Sequence, residues 1–458
     1  MKKIALLLLM LLSQQLFSQS QKGNKRPSAE SSGQKEERMK WWREARFGMF
    51  IHWGLYSVPA RHEWVQSREK ISGKEYQKYF EAFNPDLYEP EEWAKKAKAA
   101  GMKYVMITTK HHEGFTLWDS KYTDFKATST IAKKDLLKLA VDAFRKEGIK
   151  IGFYYSLIDW NHPHFTIDRN HPLRDNKEAL AHNASRDIKK YQQYMKDQVT
   201  ELLTGFGKVD LLFLDYSYPG VNGKDHKDWD AENLIRLVRK LQPQIIMNDR
   251  ADLNEQSWAW DYRTPEQFMP KSWPEVNGQK IPWETCQTFS GSWGYFRDEY
   301  SWKSPQQLIT MLVETVSKGG NLLLNVGPTA RGVFDTRANE RLDAIAGWMK
   351  FNSRAIYSCT QAPAEFKKPE NCFLTYNPEA KRLYIHVLNW PFKSLHLENY
   401  HGKFRYAQLL SDGSEIKFRN NTKAGSHTTE VTGENDVILE LPVNRPEGEI
   451  PVIELFLN

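Results

Sequence analysis

Cysteine is scarce in this 458-residue chain, which has only Cys286, Cys359 and Cys372. No disulfide framework can organise the fold, although a Cys359–Cys372 bridge is open in an oxidising compartment. Long apolar runs are scarce as well. The longest, Ile4–Leu12, follows Lys2-Lys3 and gives way to polar Ser13-Gln14-Gln15 and small residues near 18–20. It is too short to span a bilayer, and the pattern predicts a signal peptide over 1–20. The expected protein is therefore secreted or periplasmic, of bacterial type. No cysteine follows the run to carry a lipid.

Charge of one sign is missing too. The 64 Lys+Arg and 57 Asp+Glu give +7, but eight of the basic and three of the acidic residues fall in 1–40, leaving 56 against 54 in the remainder. A nucleic-acid or membrane-surface footprint is not expected. No internal repeat of 20–50 residues is visible.

Aromatic residues are abundant, at 13% with 16 Trp. Such rings pack against the C–H faces of sugars, and equally against one another in a core. The length suits one large domain plus a smaller one. Residues 21–38 lack apolar periodicity and are expected to be a disordered lead-in. From 39 to 357 strand-like and helix-like segments alternate. Strands are expected at Phe47–Trp53, Lys103–Thr109, Ile149–Ser156, Val209–Asp215, Ile245–Asn248 and Asn321–Val326. Helices are expected from Pro90 to Gly101, over Asp135–Glu147, around Ile188–Leu202, and over Asp230–Leu241, Pro305–Ser317 and Arg337–Lys350. That order predicts a (β/α)8-like barrel, distorted around Trp258–Glu266 and Trp283–Thr288. Residues 358–458 carry short strand patterns at Leu383–Leu388, Phe404–Leu410, Val437–Leu441 and Val452–Leu457. They read as a C-terminal antiparallel β-sandwich.

The barrel reading gives meaning to the polar residues at strand ends, because those ends converge on one face. His52 ends the first strand, Lys110-His111-His112-Glu113 the second, Tyr154 lies near the end of the third, Asp215 ends the fourth and Asn248-Asp249-Arg250 the fifth. Singly, each has a structural explanation. Asp215 could cap a helix or order the Pro219-Gly220 turn, His52 could be a satisfied core residue, and Arg250 could pair with Asp249. Together they imply a polar pocket. Histidine pairs also suit zinc, but the H-E-x-x-H spacing is absent and neighbours on a strand point to opposite faces.

Several of these stretches resemble the family 29 glycoside hydrolases, the α-L-fucosidases. They are Phe47–Gly54, Glu63-Trp64, Lys110–Phe115, Leu212–Asp215 and the run from Gly319 to Pro328, collinear across about residues 40–350. The resemblance implies an exo-acting retaining enzyme that removes terminal α-L-fucose from oligosaccharides or glycoconjugates without metal or cofactor. Asp215 matches the nucleophile, and His52, His111, His112, Tyr154 and Arg250 match ligands of the sugar hydroxyls. Glu63 and Trp64 match a loop over the sugar. Phe213 stands where a Trp often lines the pocket.

Retaining hydrolysis needs a second carboxyl group roughly 5–5.5 Å from the first. Thr264-Pro265-Glu266 resembles one segment that bears it and Trp283-Glu284-Thr285-Cys286 another, so Glu266 is the first choice and Glu284 the alternative, ahead of Glu255 and Glu275. Fucose is a 6-deoxy sugar, and Phe115, Trp118 and Phe296 are candidates for an apolar wall at its methyl group. The competing readings are a barrel glycosidase for another hexose and a non-catalytic glycan-binding protein.

Overall fold

The computed structural model describes residues 30–420, 433 and 435–458. The expected signal peptide lies outside them, as do residues 21–29 of the expected lead-in. From Ser32 that lead-in is helical instead (Ser32–Ala45). Gln34–Arg38 are straight-chain helix formers, which need no apolar stripe to adopt the conformation. Contacts divide the chain at Lys40/Trp41, and the unit Trp41–Asn458 holds both the barrel and the antiparallel sheets. Among the described residues no helix is long and apolar enough to cross a membrane.

Seven parallel strands form the barrel sheet: β1 Phe47–Ile51, β2 Tyr104–Lys110, β3 Lys150–Ser156, β4 Leu211–Asp215, β5 Ile246–Met247, β6 Glu284–Thr288 and β7 Asn321–Val326. Their order is β5-β4-β3-β2-β1-β7-β6. Nearly every strand residue is buried, which is why these segments read as unbroken apolar runs rather than alternating ones. The helices begin where their sequences allow. Asp135 accepts from the Lys138 N–H, Pro90 stands in a first turn with Glu91 and Glu92, and Ser304 forms a capping box with Gln307.

Between the edges β5 and β6 runs the segment 261–267, which closes the barrel. Asp261 N–H donates to Met247 O at 2.8 Å, and Glu284 N–H donates to Arg263 O at 2.9 Å. Cys286 N–H donates to Pro265 O at 3.2 Å and Gln267 N–H to Cys286 O at 3.0 Å. Isolated parallel bridges join Asn248 to Tyr262, Arg263 to Trp283 and Glu266 to Cys286. This is an eighth strand in position but not in regularity. Pro265 has no N–H to give and Gln267 sits at φ 51°. Among the described residues no helix flanks it, only the hairpin of Glu275–Val276 and Gln279–Lys280. The distortion expected there is thus a seam. Gly320 lets the next strand approach it, since a Cβ would lie 2.4 Å from the Trp283 ring.

After residue 359 the chain is antiparallel. One sheet runs in the order Thr360–Gln361, Cys372–Asn377, Arg382–Val387, Val452–Leu457, Phe404–Leu409. The other is Ser394–Leu397, Val437–Glu440, Phe418–Asn420. Leu383, Ile385 and Leu455 pack against Leu397 and Leu439 in the core between them. Tyr384, next to Leu383 and Ile385, and Val452, next to the inward-facing Ile453, join the barrel core instead. The larger sheet is therefore buried on both faces. Polar contacts fix the junction: Trp348 Nε1 donates to Ile450 O at 2.8 Å, and Thr375 Oγ1 to Ala355 O at 2.7 Å. All three cysteines are buried and free, so the Cys359–Cys372 bridge is not formed.

Candidate active site

Asp215 is the last residue of β4, 7% exposed, with its carboxylate held from two sides. Tyr154, on the neighbouring β3, donates its hydroxyl to Oδ2 at 2.7 Å. Burial and the adjacent Asp215 charge push that phenol far above its usual range, so it stays a donor. Arg250, just past β5, donates from Nη1 to Oδ1 at 2.8 Å. It does not pair with Asp249, which binds Arg263 at 3.1 Å and the Thr264 hydroxyl at 2.6 Å.

The same Arg250 nitrogen reaches Glu266 Oε2 at 2.5 Å. Two carboxylates on one nitrogen have oxygens no farther apart than those two contacts laid end to end. Their nearest oxygens are thus no farther apart than the roughly 5–5.5 Å that separates a nucleophile and an acid/base in retaining hydrolysis. Glu266 is carried by the barrel seam, and its side chain is 41% exposed where Asp215 is enclosed. One carboxylate faces a closed pocket and the other its mouth.

Glu284 is elsewhere. It opens β6, opposite Asn321 at the start of β7, and accepts a hydrogen bond from Tyr104 at the start of β2. In a parallel barrel those strand beginnings lie at the end remote from Asp215. Glu284 therefore cannot serve as the alternative acid/base. Burial lifts its carboxyl to about 7.

Beside Asp215 sit the histidines. His52 Nδ1 is 2.7 Å from Asn325 Oδ1. Asn325 Nδ2 donates to Trp293 O at 2.7 Å, which fixes the amide so that His52 must donate from Nδ1. His112 Nδ1 is 2.7 Å from the Ser156 hydroxyl, which itself donates to Ile158 O at 2.8 Å. Burial holds both imidazoles well below the usual histidine range. Each is therefore neutral with Nε2 left as an acceptor. His111 stacks on Tyr154 at 12° with centroids 5.7 Å apart. Its ring is only 4.1 Å from that of His112. The opposite-faces expectation fails because both residues lie beyond Lys110, in the turn after β2. Among the described residues no group of three or more His, Cys, Asp or Glu is arranged to hold a metal.

Glu63 and Trp64 join the same pocket from different directions. Glu63 is buried, and its Oε2 accepts from the N–H groups of Trp293 and Gly294 at 3.2 and 3.0 Å. It ties its loop to the one after β6. The Trp64 ring packs on His112 at 4.7 Å and Tyr216 at 5.1 Å.

The apolar walls differ from expectation. Phe115 packs with Phe80, Phe83 and Phe125 in the core, and Trp118 donates to Glu201. Phe296 bridges to Arg61 and lies outside the ring cluster at His52. That cluster is Phe50, 4.3 Å from His52, together with Phe213 stacked on Tyr154 and Trp293, 5.1 Å from His52. Phe50 was legible as the residue two before His52 on β1, hence on the same face. Trp293 gave no signal, because it lies in a loop. Glu113, which the sequence shows only as the last of the Lys110–Glu113 cluster, lies beside His111. Both of its carboxylate oxygens are buried without a hydrogen-bond partner, and Oε2 is 3.5 Å from His111 Nδ1.

The family model described as alpha-L-fucosidase matches residues 12–354. The tissue alpha-L-fucosidase of Homo sapiens is 31% identical over 375 residues, covering 77% of this chain and 76% of its own. Among solved structures, alpha-L-fucosidase isoenzyme 1 from Paenibacillus thiaminolyticus superposes with a TM-score of 0.85 at 41% identity, covering 93% of this chain and 99% of its own. A Bacteroides thetaiotaomicron alpha-L-fucosidase, trapped as a covalent intermediate with 2-fluoro-fucosyl fluoride, gives 0.77 at 30%, covering 92% and 95%.

Proposed function

The chain belongs to the alpha-L-fucosidase family, and from that premise we propose a two-carboxylate mechanism on terminal α-L-fucose with Asp215 as nucleophile and Glu266 as acid/base. The observation that carries this assignment is the single Arg250 nitrogen shared by the two carboxylates, at 2.8 and 2.5 Å.

In the first step an Asp215 oxygen attacks the anomeric carbon while Glu266 gives its proton to the glycosidic oxygen. The bond to the leaving sugar breaks, and fucose is left esterified to Asp215. In the second step Glu266, now a carboxylate, takes a proton from water whose oxygen attacks the same carbon. Free fucose departs with its configuration retained, and both residues return to their starting states. Arg250 and Tyr154 hold Asp215 in line, which lowers the entropic part of the barrier. His52 and His112 accept from ring hydroxyls through Nε2. Phe50, Phe213 and Trp293 supply the apolar surface for the 6-methyl group, worth about 1–3 kcal/mol against a sugar bearing a hydroxyl there.

The test is release of free L-fucose by the purified protein from fucosylated oligosaccharides of different linkage. Labelling with 2-fluoro-fucosyl fluoride should place the adduct on the peptide containing Asp215. An adduct on another residue would overturn the assignment. The Lys2-Lys3 and Ile4–Leu12 pattern supports export to the periplasm or beyond. Fractionation followed by N-terminal sequencing checks it, and an uncleaved cytoplasmic protein would refute it.

A further inference from the structure

Tyr216, immediately after Asp215, has a φ of 85°, a backbone conformation that is costly for an aromatic residue. Such strain persists only where the surroundings enforce it, and here they do. The Tyr216 ring lies 5.1 Å from Trp64, 5.1 Å from Tyr218 and 5.3 Å from His112. Tyr218 is itself pinned, donating its hydroxyl to the buried Asp168 at 2.5 Å. Lys224 pairs with the same carboxylate. Arg169 donates to the carbonyls of Tyr218 and Val221 at 3.1 and 3.0 Å. The turn after β4 is thus gripped by the loop after β3, and Tyr216 is held in its unfavourable geometry from outside the pocket.

What the strain secures is a phenol with nothing to do inside the chain. The Tyr216 hydroxyl makes no hydrogen bond to any described residue, and the side chain is half-buried. Burial and the nearby charges of Asp215 and Glu266 raise its pKa, so it is a donor. The side chains around the pocket, His52 and Tyr154 among them, are buried. Tyr216 stands at its rim, within the field of the carboxylate that protonates the leaving oxygen. The group on that oxygen must leave past this rim.

We propose that Tyr216 binds the leaving sugar, its ring against the sugar's C–H face and its hydroxyl on one of the sugar's hydroxyls. This rests on the fucosidase reading. It makes Tyr216 a determinant of which fucosyl linkages are cut.

The test compares α-L-fucosyl fluoride, which has no leaving sugar, with fucosyl disaccharides, using the wild type, Tyr216→Phe and Tyr216→Gly. Glycine accepts positive φ, so the fold is spared. Melting temperature is followed in parallel. The expected result is that Tyr216→Gly lowers kcat/KM on disaccharides roughly tenfold more than on the fluoride, with Tyr216→Phe showing part of that gap. Equal losses on both substrates, or none on either, would overturn the proposal. A wild type that releases fucose from neither substrate would instead overturn the fucosidase reading beneath it.

Discussion

Tyr154 donates to Asp215 Oδ2 at 2.7 Å from the adjacent strand, and both side chains are buried. The carboxylate is therefore aimed before any substrate arrives. Replacing Asp215 by Gly removes the attacking group but opens space beside the anomeric carbon. Turnover should fall by at least roughly 1,000-fold and recover in part with azide, which supplies the missing nucleophile. Rate assays with and without azide decide this; an undiminished rate would exclude a nucleophilic role.

The two glutamates should separate cleanly by leaving group. Glu266→Ala should cost about 10²–10⁴-fold on substrates whose leaving oxygen needs a proton, and far less on α-L-fucosyl fluoride. Glu284→Gln, at the other end of the barrel, should keep the wild-type dependence on leaving-group acidity. A reversal of that pattern in steady-state kinetics would contradict the placement of the acid on the seam.

Glu284 should instead reveal itself in stability. Its carboxyl is lifted to about 7 by burial, so between about 4.5 and 7 the folded protein keeps a proton that the unfolded chain has lost. Stability from this group is complete below that window, is lost as pH rises through it, and stays at the lower level above it. The loss is on the order of 3 kcal/mol. Glu284→Gln should match the wild type near pH 4.5 and become the more stable protein by pH 8. Denaturant melts at both pH values test this, and a difference that does not change with pH would refute it.

Asn325 offers a pH test of the pocket. Its Oδ1 lies 2.7 Å from His52 Nδ1. Asn325→Asp places a negative charge there, which favours the imidazolium and raises the His52 pKa. Protonation removes the Nε2 acceptor, so the acidic limb of kcat/KM should move toward neutral pH. A pH–rate profile identical to the wild type would show that His52 does not accept from the sugar.

The strands and helices of the barrel were legible because their physical signals are local. Buried parallel strands are written as runs such as Leu211–Leu214, and Pro90, Asp135 and Ser304 announce the helices that follow. The closing strand was not legible, since Pro265 and the left-handed Gln267 spoil any strand pattern and its partners are distant in sequence. Ser394–Leu397 is four residues long and leaves too little pattern to read. Within the pocket, the residues at strand ends could be placed by the barrel rule. Glu284 could not, because resemblance of a segment does not say which end of its strand faces the pocket. Trp293 and Tyr216 lie in loops, whose course depends on partners such as Glu63 and Asp168.

The barrel's seam has a consequence for how such enzymes can diversify. Glu266, the proposed proton donor, rides on a stretch held by scattered bridges, with a hairpin beside it in place of a supporting helix. Asp215 and Tyr154, and the strand ends that carry the histidines, belong instead to the continuous ladder of the other strands. Insertions or replacements near Glu266 can therefore reshape what is cut from fucose without disturbing how fucose itself is gripped.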